Sequence, residues 1–407
     1  MKRRHFILSA TGLLGGAAAW RYWPEDGFTN ECISNAMPEV LQRHPLVQSA
    51  IAGIDFNKVM DNHVHVVGLG ENSDKVWVNP EMESWAHPIK YAQLKFYLDG
   101  SCVSPLPGTD ESYIQRIAQL SDDLPRGMKL MVMAFDYFHD QDGKAKPELS
   151  TIYTANEYVA EVAARFPERM EWIASIHPYR VDAVERLKQA VKLGARAVKW
   201  LPEAMGIDPG SDRCDAFYQT MKDLNIPLLS HAGHETAVGT EGGKDLGNPL
   251  LLRRPLDQGV RVIVAHCASL GNATDLDKGA DAEDVPCFDL FVRMMEEEKY
   301  RELLFGDISA MLQLNRLGQP LKYLLQKPQW HSRLINGSDY PLPGILPVFS
   351  LKQMLRADFL NEQQAQVLSE VRRYNPVWFD FLVKRMVRWE GHGFDNSVFE
   401  NKHHFIS

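Results

Sequence analysis

Short apolar, β-prone runs alternate with stretches of helical periodicity between residues 56 and 341. Each run ends in a polar residue and is followed by a loop, and the helical stretches repeat apolar residues three or four positions apart. Strands that alternate with helices form parallel sheets, because each helix carries the chain back across the sheet. The apolar runs are 59–65, 130–135, 171–177, 195–200, 227–231, 262–266, 303–308 and 334–339.

Eight such runs predict an α/β fold of the (β/α)₈ TIM-barrel type. An open doubly wound sheet is the competing layout, and it usually carries a glycine-rich phosphate loop after its first strand. The stretch that follows His65, at 66–71, lacks the third glycine of that fingerprint. Helices are predicted at 154–166, 181–193, 214–224, 249–258, part of 288–304, and 321–326.

The connection between the first and second runs is much longer than a typical strand-to-helix loop and indicates an insertion after strand 1. It is rich in aromatic residues, which fits a lid or wall over the barrel mouth. A helical excursion packed on the side of the barrel fits equally well. Further helices are predicted at 362–372 and 376–389, where they would cap or flank the barrel. We therefore divide the chain into 1–19, an N-terminal extension at 20–55, the barrel at 56–390 and a polar, loop-like tail at 391–407.

The first nineteen residues resemble an export signal, with a basic start, an apolar stretch and small residues at the end. The pair Arg3-Arg4 followed by Phe6 is similar to a twin-arginine signal. Cleavage after Ala19 would release the protein into the periplasm without a stable membrane span. The alternative is an uncleaved anchor in the inner membrane, although the apolar stretch at 6–20 is shorter than the about 20 residues that cross a bilayer.

Composition excludes some classes of protein. The 407 residues are 45% hydrophobic and 24% charged, as in an ordinary globular protein. A formal net charge of −9 argues against nucleic acid as a partner. The five cysteines are scattered without a CxxC pair, so neither a disulfide framework nor a cysteine zinc site is indicated. An oxidising compartment would permit one bridge, and the sequence does not choose its cysteines.

Polar residues at the ends of the runs form the candidate site. Strand alternation points His63 and His65 in the same direction, and the C-terminal ends of parallel barrel strands converge on one mouth. Imidazole and carboxylate groups are typical ligands of zinc and similar divalent metals, which lower the pKa of bound water to about 7. Asp339 would contact the metal and take the proton from that water. The candidates are His63, His65, Lys199, His231, His266 and Asp339.

Each candidate also has an ordinary structural interpretation. A lone histidine at a strand end is more often a hydrogen-bonded core residue, and Lys199 would then extend to the barrel rim. Because residues of metal-binding type end several of the predicted strands, we favour the metal site. Three residues near the strand ends are predicted to contact substrate: Trp200, His234 and Tyr340. Arg253 and Arg254 would either bind a carboxylate or simply face solvent.

Five motifs together resemble the amidohydrolase superfamily, specifically amidohydrolase-related (family 2) metal-dependent hydrolases. They are DNHVH at 61–65, GARAVKWLP at 194–202, IPLLSHAGHE at 226–235, VRVIVAHCASLG at 260–271 and INGSDYP at 335–341. The resemblance implies a distorted (β/α)₈ barrel with one or two divalent metals, commonly zinc. It implies metal ligation by His63, His65, His231 and Asp339, with His266 as a second-metal ligand or catalytic histidine. Lys199 stands where some relatives carry a carboxylated lysine that bridges two metals.

Three functions follow from this resemblance and these residues. The first is hydrolysis of a small amide, ester or lactone by metal-activated water. The second is metal-dependent decarboxylation, which other members of the family perform. The third is a non-catalytic periplasmic binding protein that keeps the barrel. The expected partner is a small-molecule substrate, and a homo-oligomer is left open.

Overall fold

Eight parallel strands follow one another round a single sheet in the order of the chain. The computed structural model describes residues 26–71, 74–103, 108–234, 238 and 243–405. We number the barrel strands β1 (Met60–His65), β2 (Lys129–Met133), β3 (Met170–Ala174), β4 (Ala195–Trp200), β5 (Leu228–His231), β6 (Val262–Ala265), β7 (Leu304–Asp307) and β8 (Leu334–Ile335).

The sheet closes between its first and last strands. The Asn62 N–H donates to the Asn336 carbonyl at 3.2 Å, and the His65 N–H donates to the Tyr340 carbonyl at 3.0 Å. An isolated parallel bridge joins Val64 to Tyr340. The predicted (β/α)₈ barrel is confirmed, and the open sheet is excluded. The last strand is shorter than predicted, because the chain leaves the sheet after Ile335 and approaches Asp339 as irregular backbone.

Helices occupy the predicted gaps, with ends that differ from the prediction by a few residues. The predicted helix at 249–258 begins as a 3₁₀ turn. The helices are Glu39–Gln42, Pro45–Ile51, Pro88–Ser101, Thr109–Asp122, Asn156–Arg165, Ala183–Lys192, Pro202–Met205, Asp215–Asp223, Arg253–Asp257, Cys287–Glu296, Gln319–Leu325, Leu351–Arg356, Glu362–Tyr374, Pro376–Met386 and Asn396–Phe399. Two short antiparallel pairs join Val76–Val78 to Ile152–Thr154, and Asn272–Thr274 to Asp284–Pro286.

An apolar layer fills the barrel below the polar strand ends. The pairing register shifts between Asp61 and Val64, as in a β-bulge. Because of this shift, Met60 and His63 both face the barrel interior although they are three positions apart. Met60 belongs to the apolar layer, and His63 lines the cavity above that layer. The layer consists of Met60, Met131, Met133, Ile173, Ala197, Leu229, Ile263, Ala265, Phe305, Ile335 and Phe405.

The insertion after β1 forms part of the barrel mouth. Its helix Pro88–Ser101 lines the cavity above the strand ends, as a wall over the mouth would. A disulfide joins Cys32 in the N-terminal extension to Cys102 at the end of this helix. Sequence reasoning had left the choice of cysteines open. The proposed export signal at 1–19 lies outside the described residues. In the described part of the chain, no helix is both long and apolar enough to cross a membrane.

The C-terminal tail contains regular structure in its described residues, 391–405, which corrects the expectation of a loop. It contains the helix Asn396–Phe399, and Val398 and Phe399 are fully buried. The buried Asn401 side chain accepts from the Met60 N–H at 3.1 Å and donates to the Asn336 carbonyl at 3.1 Å. The tail was misread because its few apolar residues are separated by polar ones. It seals the end of the barrel opposite the polar strand ends.

We predict that Asn401→Ala destabilises the protein by roughly 1–3 kcal/mol, because it leaves the buried Met60 N–H without its acceptor. The Asn336 carbonyl keeps the hydrogen bond from the Asn62 N–H. Urea unfolding followed by circular dichroism should show a lower midpoint with an unchanged slope. The neighbouring exposed residue provides the control, His403→Ala, which should leave the midpoint unchanged. Equal midpoints for Asn401→Ala and the wild type would show that the tail does not stabilise the barrel.

Candidate functional site

Six polar residues line one cavity at the C-terminal ends of the barrel strands. Two of them lie at the end of β1. The other four lie at the ends of β4, β5 and β6 and in the segment after β8. Sequence reasoning selected all six as candidate metal ligands. They are His63, His65, Lys199, His231, His266 and Asp339.

Asp339 lies against both histidines of β1. Its Oδ1 is 3.0 Å from His65 Nε2 and 3.3 Å from His63 Nε2. The ligand atoms of the three residues all lie within 4.8 Å of one another. Two imidazole nitrogens and a carboxylate oxygen are a donor set that suits zinc and other borderline divalent metals. The three side chains therefore fit a divalent cation.

Asp307 holds His63 from the other side of its ring. His63 Nδ1 lies 2.7 Å from Asp307 Oδ2. Because a carboxylate accepts, Nδ1 carries the proton and Nε2 presents its lone pair toward Asp339. The Ser309 hydroxyl lies 3.0 Å from the same Nδ1. This arrangement orients the ring of a metal-binding histidine through its second nitrogen.

A hydrogen bond from its Nδ1 also orients the His266 ring. Its Nδ1 donates to the Ser309 carbonyl at 3.0 Å, because a carbonyl only accepts, so Nε2 is the nitrogen that carries the lone pair when the ring is neutral. Nε2 lies 3.7 Å from Asp339 Oδ2. The His231 ring contacts the His266 ring edge to face, with centroids 5.4 Å apart. His231 lies outside the three-residue groups whose ligand atoms all meet within 4.8 Å.

Lys199 is a buried side chain on the cavity floor, with 1% of its surface exposed. Its Nζ lies 3.2 Å from His63 Nε2. The lysine therefore reaches the same histidine nitrogen that faces Asp339. The ordinary structural interpretation placed this side chain at the barrel rim, and the structure does not.

The backbone is held in unusual conformations beside the site. Asp339 has a φ of 60°, and His266, Cys267 and Ala268 have φ values of 54°, 49° and 49°. Non-glycine residues in this region are strained and cluster at functional sites. Asp61 supports the turn, since its Oδ1 accepts from the His63 N–H at 3.1 Å and the Ser338 N–H at 2.8 Å.

Burial sets the protonation states of the site. Burial lowers the pKa of the His63 imidazole, and the nearby Lys199 ammonium lowers it further. Burial also holds the pKa of His266 well below its usual value. Burial opposes ionisation of Asp339, but the surrounding His63, His266 and His65 outweigh it and hold the pKa of this carboxyl well below its usual range. An ionised carboxylate is the form of Asp339 that binds a metal, and a metal takes its imidazole ligands at an unprotonated nitrogen.

The three predicted substrate contacts do not line this cavity, which corrects the prediction. Trp200 is fully buried on the outer face of β4, where its indole N–H donates to the Ile176 carbonyl at 2.9 Å. Tyr340 is also fully buried, and its hydroxyl donates to the Ser101 carbonyl at 3.0 Å. His234 lines a separate cavity of about 240 Å³ beside Glu203. Position near a strand end did not reveal which face each side chain takes.

Other polar candidates are engaged away from the cavity. Arg253 pairs with Glu297 at 2.6 Å, and Arg254 pairs with Asp215 at 2.7 Å, as solvent-facing helix residues often do. Sequence reasoning missed the loop after β7, which brings Gln313 and Arg316 into the cavity wall. In the sequence, the signal for this loop was its position directly after a predicted strand, where loops contact the cavity.

Comparison with known proteins gives the family. The family model described as amidohydrolase matches residues 75–297, more than half of the chain. This span includes Lys199, His231 and His266, whereas His63, His65 and Asp339 lie outside it. No curated protein matches the sequence.

Several solved structures are similar in fold at low sequence identity. One is an uncharacterised TIM-barrel protein from Bordetella bronchiseptica, with 13% identity over 77% of this chain and 94% of that chain, and a TM-score of 0.46. A probable 2-pyrone-4,6-dicarboxylic acid hydrolase from Acinetobacter baumannii has 14% identity over 78% and 96%, with a TM-score of 0.43. A 5-carboxyvanillate decarboxylase from Novosphingobium aromaticivorans, complexed with manganese, has 13% identity over 79% and 95%, with a TM-score of 0.41.

The family match agrees with the resemblance in the sequence motifs and with the (β/α)₈ barrel in the structure. It covers the middle of the barrel, and the polar strand ends on both sides of the match meet in the same cavity. On this basis the chain belongs to the amidohydrolase family of enzymes.

Proposed function

We propose that this enzyme is a metal-dependent hydrolase of amides, esters or lactones. In this proposal His63, His65 and Asp339 hold a divalent ion, with zinc as the expected metal. The observation that carries the proposal is the position of the Asp339 carboxylate, within 3.3 Å of the Nε2 atoms of both histidines. We propose a single ion. The ligand atoms of His63, His266 and Asp307 also lie close together, but Asp307 accepts a hydrogen bond there from the opposite nitrogen of His63.

The bound ion supplies Lewis acidity and lowers the pKa of water at the site. The side chains supply the proton transfers. Asp339 is ionised and can take a proton from the attacking water, which is the role of a general base. His266 presents an unprotonated Nε2 on the same side and is the second candidate for moving a proton to the leaving group. Lys199 brings a positive charge beside His63, where negative charge develops on the substrate.

We propose that the protein works in the periplasm. The disulfide between Cys32 and Cys102 supports this proposal, since such bonds persist in oxidising compartments and are rare in the cytosol. The twin-arginine-like start of the sequence supports it independently, because that route exports proteins that have already folded.

Removal of a proposed ligand should remove the metal. We expect His65→Ala to retain less than about a tenth of the wild-type metal, because loss of one ligand from a three-residue set weakens binding steeply. Elemental analysis of dialysed protein measures this. His234→Ala is the matched control, since this histidine lies in the separate cavity. Full metal content in His65→Ala would contradict the proposed ligand set.

Removal of the proposed base should abolish turnover. We expect Asp339→Asn to lower kcat by about 10²–10⁴, the contribution of a positioned general base, in a panel of esters, amides and lactones supplied with zinc. Asp281→Asn, at an exposed position, is the control and should retain full activity.

Product analysis separates the two reactions of the family. Incorporation of one oxygen atom from ¹⁸O-labelled water into the product supports hydrolysis. Release of carbon dioxide from carboxylic acids, without such incorporation, would instead identify a decarboxylase. Wild-type activity in Asp339→Asn would contradict the role of this carboxylate in either reaction.

A further inference from the structure

The cavity above the metal ligands is large and its wall is mostly apolar. Its volume is about 920 Å³. Ligand sites of about 300–1,000 Å³ accommodate molecules of drug size, so this cavity is far larger than a small amide or ester requires. The polar side chains are gathered on the floor and in the short loop at 313–316.

One wall is a single face of the insertion helix Pro88–Ser101. Ile89, Ala92 and Phe96 follow one another at helical spacing and all line the cavity. Two polar residues of this face are hydrogen-bonded to each other, since Gln93 Nε2 donates to the Tyr97 hydroxyl at 2.9 Å. The rest of this helix face presents apolar surface to the cavity.

The adjoining wall has the same character. Leu342, Ile345 and Val348 come from the segment after the Asp339 turn, and Phe135 and Ile152 complete the enclosure beside β2. The Arg316 guanidinium also lines the wall, and it donates to the Ser269 hydroxyl at 3.1 Å. Ile89 is 84% exposed and Leu314 is 40% exposed, so the apolar lining continues to the entrance.

We propose that the cavity is an acyl subsite, and that the preferred substrate carries an extended apolar acyl group. This inference rests on the proposed hydrolase function and names its substrate class. Each added methylene would leave water for the apolar wall, which is worth about 0.8 kcal/mol. That energy corresponds to about a fourfold gain in kcat/KM per methylene.

A series of esters with one leaving group and straight acyl chains of two to eight carbons tests the proposal. We expect kcat/KM to rise about fourfold per methylene. Binding of straight-chain alcohols from ethanol to octanol, measured by calorimetry on the metal-loaded enzyme, gives a readout that needs no turnover. Their affinities should rise by the same factor, with a negative heat-capacity change.

A variant that fills part of the wall should weaken the preference for long acyl chains. We expect Ala92→Phe to lower the ratio of kcat/KM for the octanoyl ester to that for the acetyl ester at least tenfold, and to weaken octanol binding. Ala86→Phe is the matched control, because this exposed alanine lies outside the lining. An unchanged ratio in Ala92→Phe would overturn the proposal.

The outcomes keep this proposal distinct from the hydrolase proposal. Equal affinities for ethanol and octanol would overturn the acyl subsite, whatever the enzyme hydrolyses. A flat ester series would overturn it as well. Tight octanol binding that Ala92→Phe weakens would support the apolar subsite even if no ester were turned over. The absence of turnover would then contradict only the hydrolase proposal.

Discussion

The contact between Asp339 and the histidines of β1 lies on the seam where the barrel closes, and the rest of the site depends on that closure. The Asp339 N–H donates to the His63 carbonyl at 2.8 Å, so backbone and side chain connect the same two segments. Asp61 binds the N–H groups of His63 and Ser338 from within the seam. Closing the barrel and assembling the proposed metal ligands are therefore one structural event.

Around this seam, hydrogen bonds between buried groups fix the orientation of the histidine rings. Asp307 and the Ser309 hydroxyl hold the Nδ1 atom of His63, and the Ser309 carbonyl holds that of His266. Both rings thus turn the opposite nitrogen toward Asp339. An ion entering such a site meets ligands whose orientation and protonation are already set, which reduces the entropy lost on binding.

Much of the architecture could be predicted because barrel strands are buried on both faces and read as apolar runs. The polar residue that ends each run marks the barrel mouth, and this placed Lys199, His231 and His266 correctly in one cavity. Trp200 was placed wrongly although strand alternation indicates its side, because Lys199 faces the cavity and the next residue of the strand points to the outer face. The cavity wall and the Cys32–Cys102 bridge depend on tertiary packing of the insertion, which leaves no local pattern.

The buried tail has a consequence for how the barrel folds. Asn401 binds the backbone of β1 although the two are 341 positions apart in the chain, and Phe405 packs in the same apolar layer as Met60. Contacts between such distant residues require a long loop to close, so they form slowly. Until they form, Met60 and its apolar layer remain open to water.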